Sequence, residues 1–201
     1  MLRVLYDPWL NLALALGFLA MMLVAAFHIA GMLAMIPFAI AFGGGGVAWL
    51  LTTFRRPVGA EGLVVPTLLT VILFVLHVAE EYYTQFHIAI AHLAGTQPSL
   101  DTFLGVAAFG APILWISAVL LLMARHPFGN YLIWAFFIGM LLAELTHFIF
   151  PFVEDGTFHY FSGMYTAILP LIPAYVGFRR LLRKIGEQWG RPAYRHAYGT
   201  R

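Results

Sequence analysis

The 201-residue chain contains no cysteine, which excludes disulfide staples, thiolate nucleophiles and Cys-based zinc or iron-sulfur sites. A metal ion could be held only by His, carboxylate or backbone oxygen, so the 8 His become the residues to follow. Charge is scarce as well. Lys and Arg number 11 and Asp and Glu 9, together 10% of the chain, against 62% hydrophobic residues and a mean hydropathy of +0.86. Soluble domains carry about a quarter charged residues. This balance excludes an ordinary water-soluble fold and identifies an integral membrane protein. A net charge of +2 without a long Lys/Arg tract leaves no electrostatic footprint for nucleic acid. Asp7 precedes the first apolar stretch, and no small-residue cleavage site with a polar sequel follows it, so that stretch reads as a span and not a removed signal peptide.

A helix needs about 20 apolar residues to cross a hydrocarbon core of roughly 30 Å. The sequence predicts an all-α polytopic bundle with six spans, at 9–28, 33–54, 63–83, 101–124, 129–150 and 159–178. Residues 1–178 form one transmembrane domain and 179–201 a basic tail suited to lipid headgroups. The first two spans are one unbroken apolar run, so the chain must turn back between His28 and Gly31. Gly43 to Gly46 then fall inside the second span, where missing side chains let another backbone or a ligand come close.

Six spans put both termini on one side. With that side cytoplasmic, all 11 basic residues lie inside, as the positive-inside rule requires. Glu80, Glu81, Asp101, Glu144, Glu154 and Asp155 fall in the membrane or on the far side, with no basic residue to neutralise them. Most of the histidines, His28, His77, His87, His92, His147 and His159, fall in the same region, in the membrane or on the far side. The expected location is the cytoplasmic membrane, with the site toward the extracytoplasmic leaflet.

The third span carries His77-Val78-Ala79-Glu80-Glu81, followed by Thr84, His87 and His92. At about 100° per residue these side chains share one helix face. A rise of about 1.5 Å per residue keeps His77, Glu80 and Glu81 within one turn and carries His87 and His92 well beyond them. The fifth span adds Glu144 and His147 at i, i+3, and the sixth opens with His159. Ionised carboxylates in hydrocarbon cost several kcal/mol, roughly, and need partners. Since Lys and Arg are not available there, the choices are protonated carboxyls or a bound cation, and the adjacent Glu80 and Glu81 favour a cation.

Glu-x-x-His pairs with further Glu and His from facing helices are the ligand pattern of dinuclear carboxylate sites. That reading takes His77, Glu80, Glu81, Glu144, His147 and His159 as ligands of two ions, iron or manganese preferred, with Thr84 in support. The rival reading places one zinc on His77 and Glu81 at i, i+4, with Glu144 or His147 as third ligand and Glu80 as general base. His28, His87 and His92 are secondary candidates; packing or solvated roles suit them better. Tyr82, Tyr83, Tyr160 and Tyr165 read as interfacial aromatics.

The run His77-Val78-Ala79-Glu80-Glu81 resembles the signature of the HXXEE family of integral membrane proteins. Tyr160-Phe161-Ser162-Gly163-Met164-Tyr165-Thr166-Ala167-Ile168-Leu169-Pro170 is similar to that family's second block, with Ser162 where Pro would be expected. The resemblance covers roughly residues 65–175. It implies a membrane enzyme whose His and Glu residues act at the active site, and it supplies no reaction.

The leading expectation is a metalloenzyme with a dinuclear site that oxidises, hydroxylates or desaturates a lipophilic substrate, drawing electrons from a membrane quinol or an outer-side donor. A zinc hydrolase acting on a lipid ester, amide or phosphate is the alternative and needs no electrons. A metal-free acid–base isomerase and a cation or proton transporter are the further alternatives.

Overall fold

A computed structural model describes residues 7–96 and 98–190, which are helical with no strand among them. Helix α1, Pro8–Phe38, starts where Asp7 caps it, its carboxylate accepting from Leu10 N–H at 2.9 Å, with Pro8 in the first turn. Within this run Gly31 has φ +73, the left-handed conformation that glycine adopts at little cost. There the chain doubles back, since the rings of Phe18 and Phe42 meet at 5.5 Å, as they could not on one straight helix. The expected turn at 28–31 is therefore present, and Pro8–Ile29 and Met35–Thr52 are separate apolar spans.

A π-helical segment, Ala39–Gly44, leads into α2, Gly45–Thr52. Helix α3 is Val64–Tyr83, and α4, Phe86–Ala94, follows a sharp bend at Gln85. Helix α5, Leu100–Leu104, runs through a second π-helical segment, Gly105–Gly110, into α6, Ala111–Met123. Helix α7 is Pro127–Thr146, α8 Phe150–Glu154 and α9 Ile168–Trp189.

Helix α7 is the central post. Tyr131, Leu132, Ile133, Ala135, Phe136 and Phe137 along it are almost wholly buried. Two of its polar side chains are paired across the bundle. Asn130 accepts from Val58 N–H at 2.9 Å and donates back to Val58 O at 3.3 Å, and Trp134 Nε1 donates to Thr53 Oγ1 at 3.2 Å. Gly45 lets α2 lie against α7: a Cβ there would sit 2.6 Å from the Ala135 backbone. Between membrane helices such close approach supplies the van der Waals contact that drives association.

Among the described residues, five helical stretches are long and apolar enough to cross a membrane: Pro8–Ile29, Met35–Thr52, Val64–Tyr83, Leu100–Met123 and Pro127–Thr146. The stretch expected as a sixth span, 159–178, has a different form. Its first part belongs to a non-helical loop, 157–167, in which Gly163 has φ +84. Only from Ile168 does it become α9, which then continues past 178 without a break to Trp189. Helix α9 buries a stripe of Pro170, Pro173, Ala174, Gly177, Leu181 and Ile185 and leaves Arg179, Arg180 and Arg183 exposed.

The bundle separates charge from site. Glu61, in the loop before α3, is 3.3 Å from Lys184 and 3.5 Å from Arg125, and Arg180 donates to Gly62 O at 3.0 Å. Arg55, Arg56, Arg125, Arg180, Arg183 and Lys184 thus gather at one end, where α3 begins and α9 finishes. Arg3, Arg191, Arg195 and Arg201 lie outside the described residues. His77, Glu81 and Glu144 lie toward the opposite end.

Candidate metal centre

Helix α3 brings His77 and Glu81 to the inside of the bundle on successive turns, 1% and 5% exposed. Helix α7 runs parallel to α3, both starting at the basic end, and its last turn presents Glu144, with His147 as its C-cap. Three ligand atoms converge. His77 Nε2 lies 3.2 Å from His147 Nε2, and Glu81 Oε1 lies 3.5 Å from each. His77, Glu81 and His147 are all buried and form a group that could hold a metal ion. Tetrahedral zinc with bonds of about 2.0–2.1 Å has ligand atoms about 3.3–3.4 Å apart, so the spacing fits an ion without rearrangement.

The outer faces of both rings fix which nitrogen carries the proton. His147 Nδ1 is 2.8 Å from the carbonyl oxygen of Ser162, which can only accept, so Nδ1 donates and Nε2 holds a lone pair. His77 Nδ1 is 3.0 Å from Thr166 Oγ1, whose single proton is already donated to Glu80 Oε2 at 2.5 Å. His77 Nδ1 therefore donates as well, which in the neutral ring leaves its Nε2 bare. Two lone pairs then face each other beside a carboxylate. A metal ion between them satisfies both lone pairs and the carboxylate, as would a proton shared among the same atoms. Outer hydrogen bonds of this kind orient metal-binding histidines and raise their basicity.

Glu144 stands next to this group. Its Oε2 lies 3.3 Å from His77 Nε2, is buried and has no hydrogen-bond donor. Phe86 covers the far side, its ring 5.2 Å from that of His147 and 6.1 Å from Phe161.

The remaining sequence candidates lie elsewhere. Glu80 turns out of the cluster toward the 157–167 loop. Its Oε1 accepts from Tyr160 OH at 2.7 Å and Tyr165 N–H at 3.2 Å, and its Oε2 from Thr166 N–H at 2.7 Å and Thr166 Oγ1. A carboxylate so engaged ties the loop to α3. Thr84 caps α3 and pairs with Ser162 Oγ at 2.5 Å, a second tie to the same loop. His159 pairs with Glu154 at 3.1 Å and Asp155 at 3.5 Å on the exposed rim. His28 is exposed beside the Phe27 ring, and His87 and His92 line a cavity on α4. The gathered set is thus the His77, Glu81 and His147 of the one-ion arrangement, with Glu144 adjacent.

Sequence reasoning missed Ser162, Gly163 and Thr166 as parts of the centre. Gly163 leaves room for both imidazoles, since a Cβ there would sit 2.7 Å from His147 Cε1 and 2.9 Å from His77 Cε1. The run Tyr160 to Pro170 was the available signal, but its apolar length assigned it to a span. No family model, curated protein or solved structure matches the chain, so the assignment of this centre rests on its own geometry.

Proposed function

We propose that the protein is a membrane-embedded metalloenzyme with a single divalent ion, of the zinc type, that hydrolyses a lipophilic ester or amide. His77, Glu81 and His147 hold the ion. The observation that carries this is the pair of imidazole lone pairs turned toward each other and toward Glu81 by their outer partners, Thr166 and Ser162. Two imidazoles and one carboxylate match a class of catalytic zinc sites that keep a fourth position open. The bound ion supplies Lewis acidity and acidifies water. Glu144, with an unpartnered oxygen beside His77, takes and returns the proton, the role the sequence pattern gave to Glu80. The aromatic wall of Phe86, Phe150 and Phe161 excludes bulk water. Hydrolysis needs no electron donor. The dinuclear reading, with iron or manganese and a quinol, loses support because Glu80 and His159 are committed to other partners. The resemblance of His77 to Glu81 to the HXXEE signature supports a catalytic role for the same residues. By the positive-inside rule the basic end faces the cytoplasm, which puts the centre in the extracytoplasmic half of the membrane.

Cobalt substitution tests this. Purified protein should take up one Co(II) per chain with a tetrahedral visible spectrum. His77→Gln or His147→Gln should abolish uptake, whereas Glu144→Gln should keep the metal and lose esterase turnover by about 100-fold or more, the scale of general acid–base catalysis. Metal retained in the His77→Gln/His147→Gln double variant would overturn the ligand assignment. If Glu144→Gln hydrolysed fluorogenic lipid esters at the unaltered rate, the proton-transfer role would be wrong.

A further inference from the structure

On the outer side of α4 lies a cavity of about 410 Å³ lined by His87, Ile88, Ala91, His92, Ser99 and Leu100, among others. Its size lies within the range of small-molecule pockets, about 300–1,000 Å³. Its lining is mixed in the way an amphiphile requires. Ile88, Ala91 and Leu100 are apolar, whereas His87, His92 and Ser99 offer polar atoms, and His87 Nδ1 is buried without a hydrogen-bond partner.

This cavity adjoins the metal centre through aromatic rings. His87 stacks on Phe103 with centroids 6.2 Å apart, Phe103 meets Phe86 at 6.0 Å, and Phe86 meets His147 at 5.2 Å. Phe86 therefore lies between the two: one neighbour of its ring is a metal-centre imidazole and the other, Phe103, backs His87 of the cavity lining. The residue before it, Gln85, has φ 58 and ψ 45, a left-handed conformation for a non-glycine residue. Such a conformation costs roughly 1–2 kcal/mol and is held by its surroundings. A strained joint directly before Phe86 is the natural place for it to swing.

We infer that the cavity is the substrate vestibule: it takes a single-chain amphiphile with a hydroxyl or carbonyl head, and rotation of Phe86 passes that head to the ion. The inference rests on the metalloenzyme reading for its second half only. Occupancy of the cavity by an amphiphile does not require the metal.

Two measurements separate these parts. In the first, metal-free protein in nanodiscs is irradiated with a diazirine-bearing medium-chain fatty alcohol, and labelled peptides are located by mass spectrometry. Label should concentrate in residues 86–104 and fall at least fivefold in both Ala91→Phe and Leu100→Trp, which fill the cavity. Label spread evenly over the lipid-facing helices, or unchanged in both variants, overturns the vestibule. In the second, the Co(II)-loaded protein is mixed with octanohydroxamate and the change in its visible spectrum is followed in time. Filling the cavity should slow binding about tenfold, whereas Phe86→Ala should speed it by a similar factor. Equal rates in all variants overturn this role of Phe86. Failure to bind cobalt would defeat the metal reading and leave the photolabelling result to decide the vestibule.

Discussion

His77 shows how far one residue's chemistry is set by neighbours distant in the chain. Its Nδ1 is committed by Thr166 and its Nε2 faces His147, Glu81 and Glu144. Thr166 is therefore the residue that turns Nε2 of this buried histidine toward the cluster. Thr166→Val should weaken Co(II) binding by about 10–100-fold, the usual effect of removing such an outer partner, with Thr166→Ser restoring it; titration against a competing chelator reads both. At Gly163 two demands coincide, a φ of +84 and a pair of imidazoles 2.7–2.9 Å from any added Cβ. Gly163→Ala should cost at least about 1–2 kcal/mol from the left-handed backbone alone. Because the imidazoles must also shift, thermal unfolding should move down in both metal-free and cobalt-loaded protein, with the gap between them narrowed. The HVAEE run was readable from the sequence as a site because its residues are costly in hydrocarbon. The assignment within it was not. Glu80 and Glu81 differ by one helical step, and which of them faces the loop and which the interior depends on where α7 and the 157–167 loop pack.

Helices were legible where apolar length sufficed. The turn at Gly31 followed from a run too long for one crossing, and the Gly43 to Gly46 stretch was expected to admit a close neighbour. Gly45 does so against Ala135, while an added Cβ at Gly43 or Gly44 would meet nothing within 4 Å. The contact has a direct consequence. Gly45→Leu should force α2 and α7 apart and destabilise the bundle by about 1–3 kcal/mol or more, seen as a lower midpoint in thermal unfolding in detergent. Gly43→Leu should leave the midpoint nearly unchanged. The stretch 159–178 had the composition of a span but only part of its helix. Hydropathy averages over a window and is blind to backbone conformation. The left-handed Gly163 and the hydrogen bonds to Glu80 make a loop there. Non-helical backbone at membrane depth is tolerated where protein buries it, and Phe161, Ser162, Gly163 and Met164 are buried.

The whole molecule keeps two kinds of electrostatics apart, a hydrated basic end and a nearly dry carboxylate–imidazole centre. At the basic end Glu61 is fully exposed, and its own backbone N–H, with Lys184 beside it, holds its carboxyl below the ordinary 4.5. A carboxyl lowered on folding stabilises the fold above pH 4.5, and that contribution disappears as the pH falls through the lowered value. Lys184→Met should bring the Glu61 midpoint part of the way back toward 4.5 in a carboxyl-carbon NMR titration and reduce the corresponding slope of stability with pH, the backbone N–H contribution remaining. The effect should also shrink in high salt, because the pair is exposed.

Composition and order alone determined that this chain is a bundle of apolar helices, that its basic residues collect at one end, and that any metal must be held by His and carboxylate. Those conclusions depend on sums over many residues and on the cost of charge in hydrocarbon, neither of which needs contacts to be known. Only the tertiary structure decided that His77, Glu81 and His147 converge into a group that could hold a metal ion, that Glu144 stands beside it, and that Glu80 and Thr84 hold the loop that carries Ser162 and Thr166. Ligand geometry is a matter of ångströms between side chains as much as 70 residues apart, and no helical period carries that information.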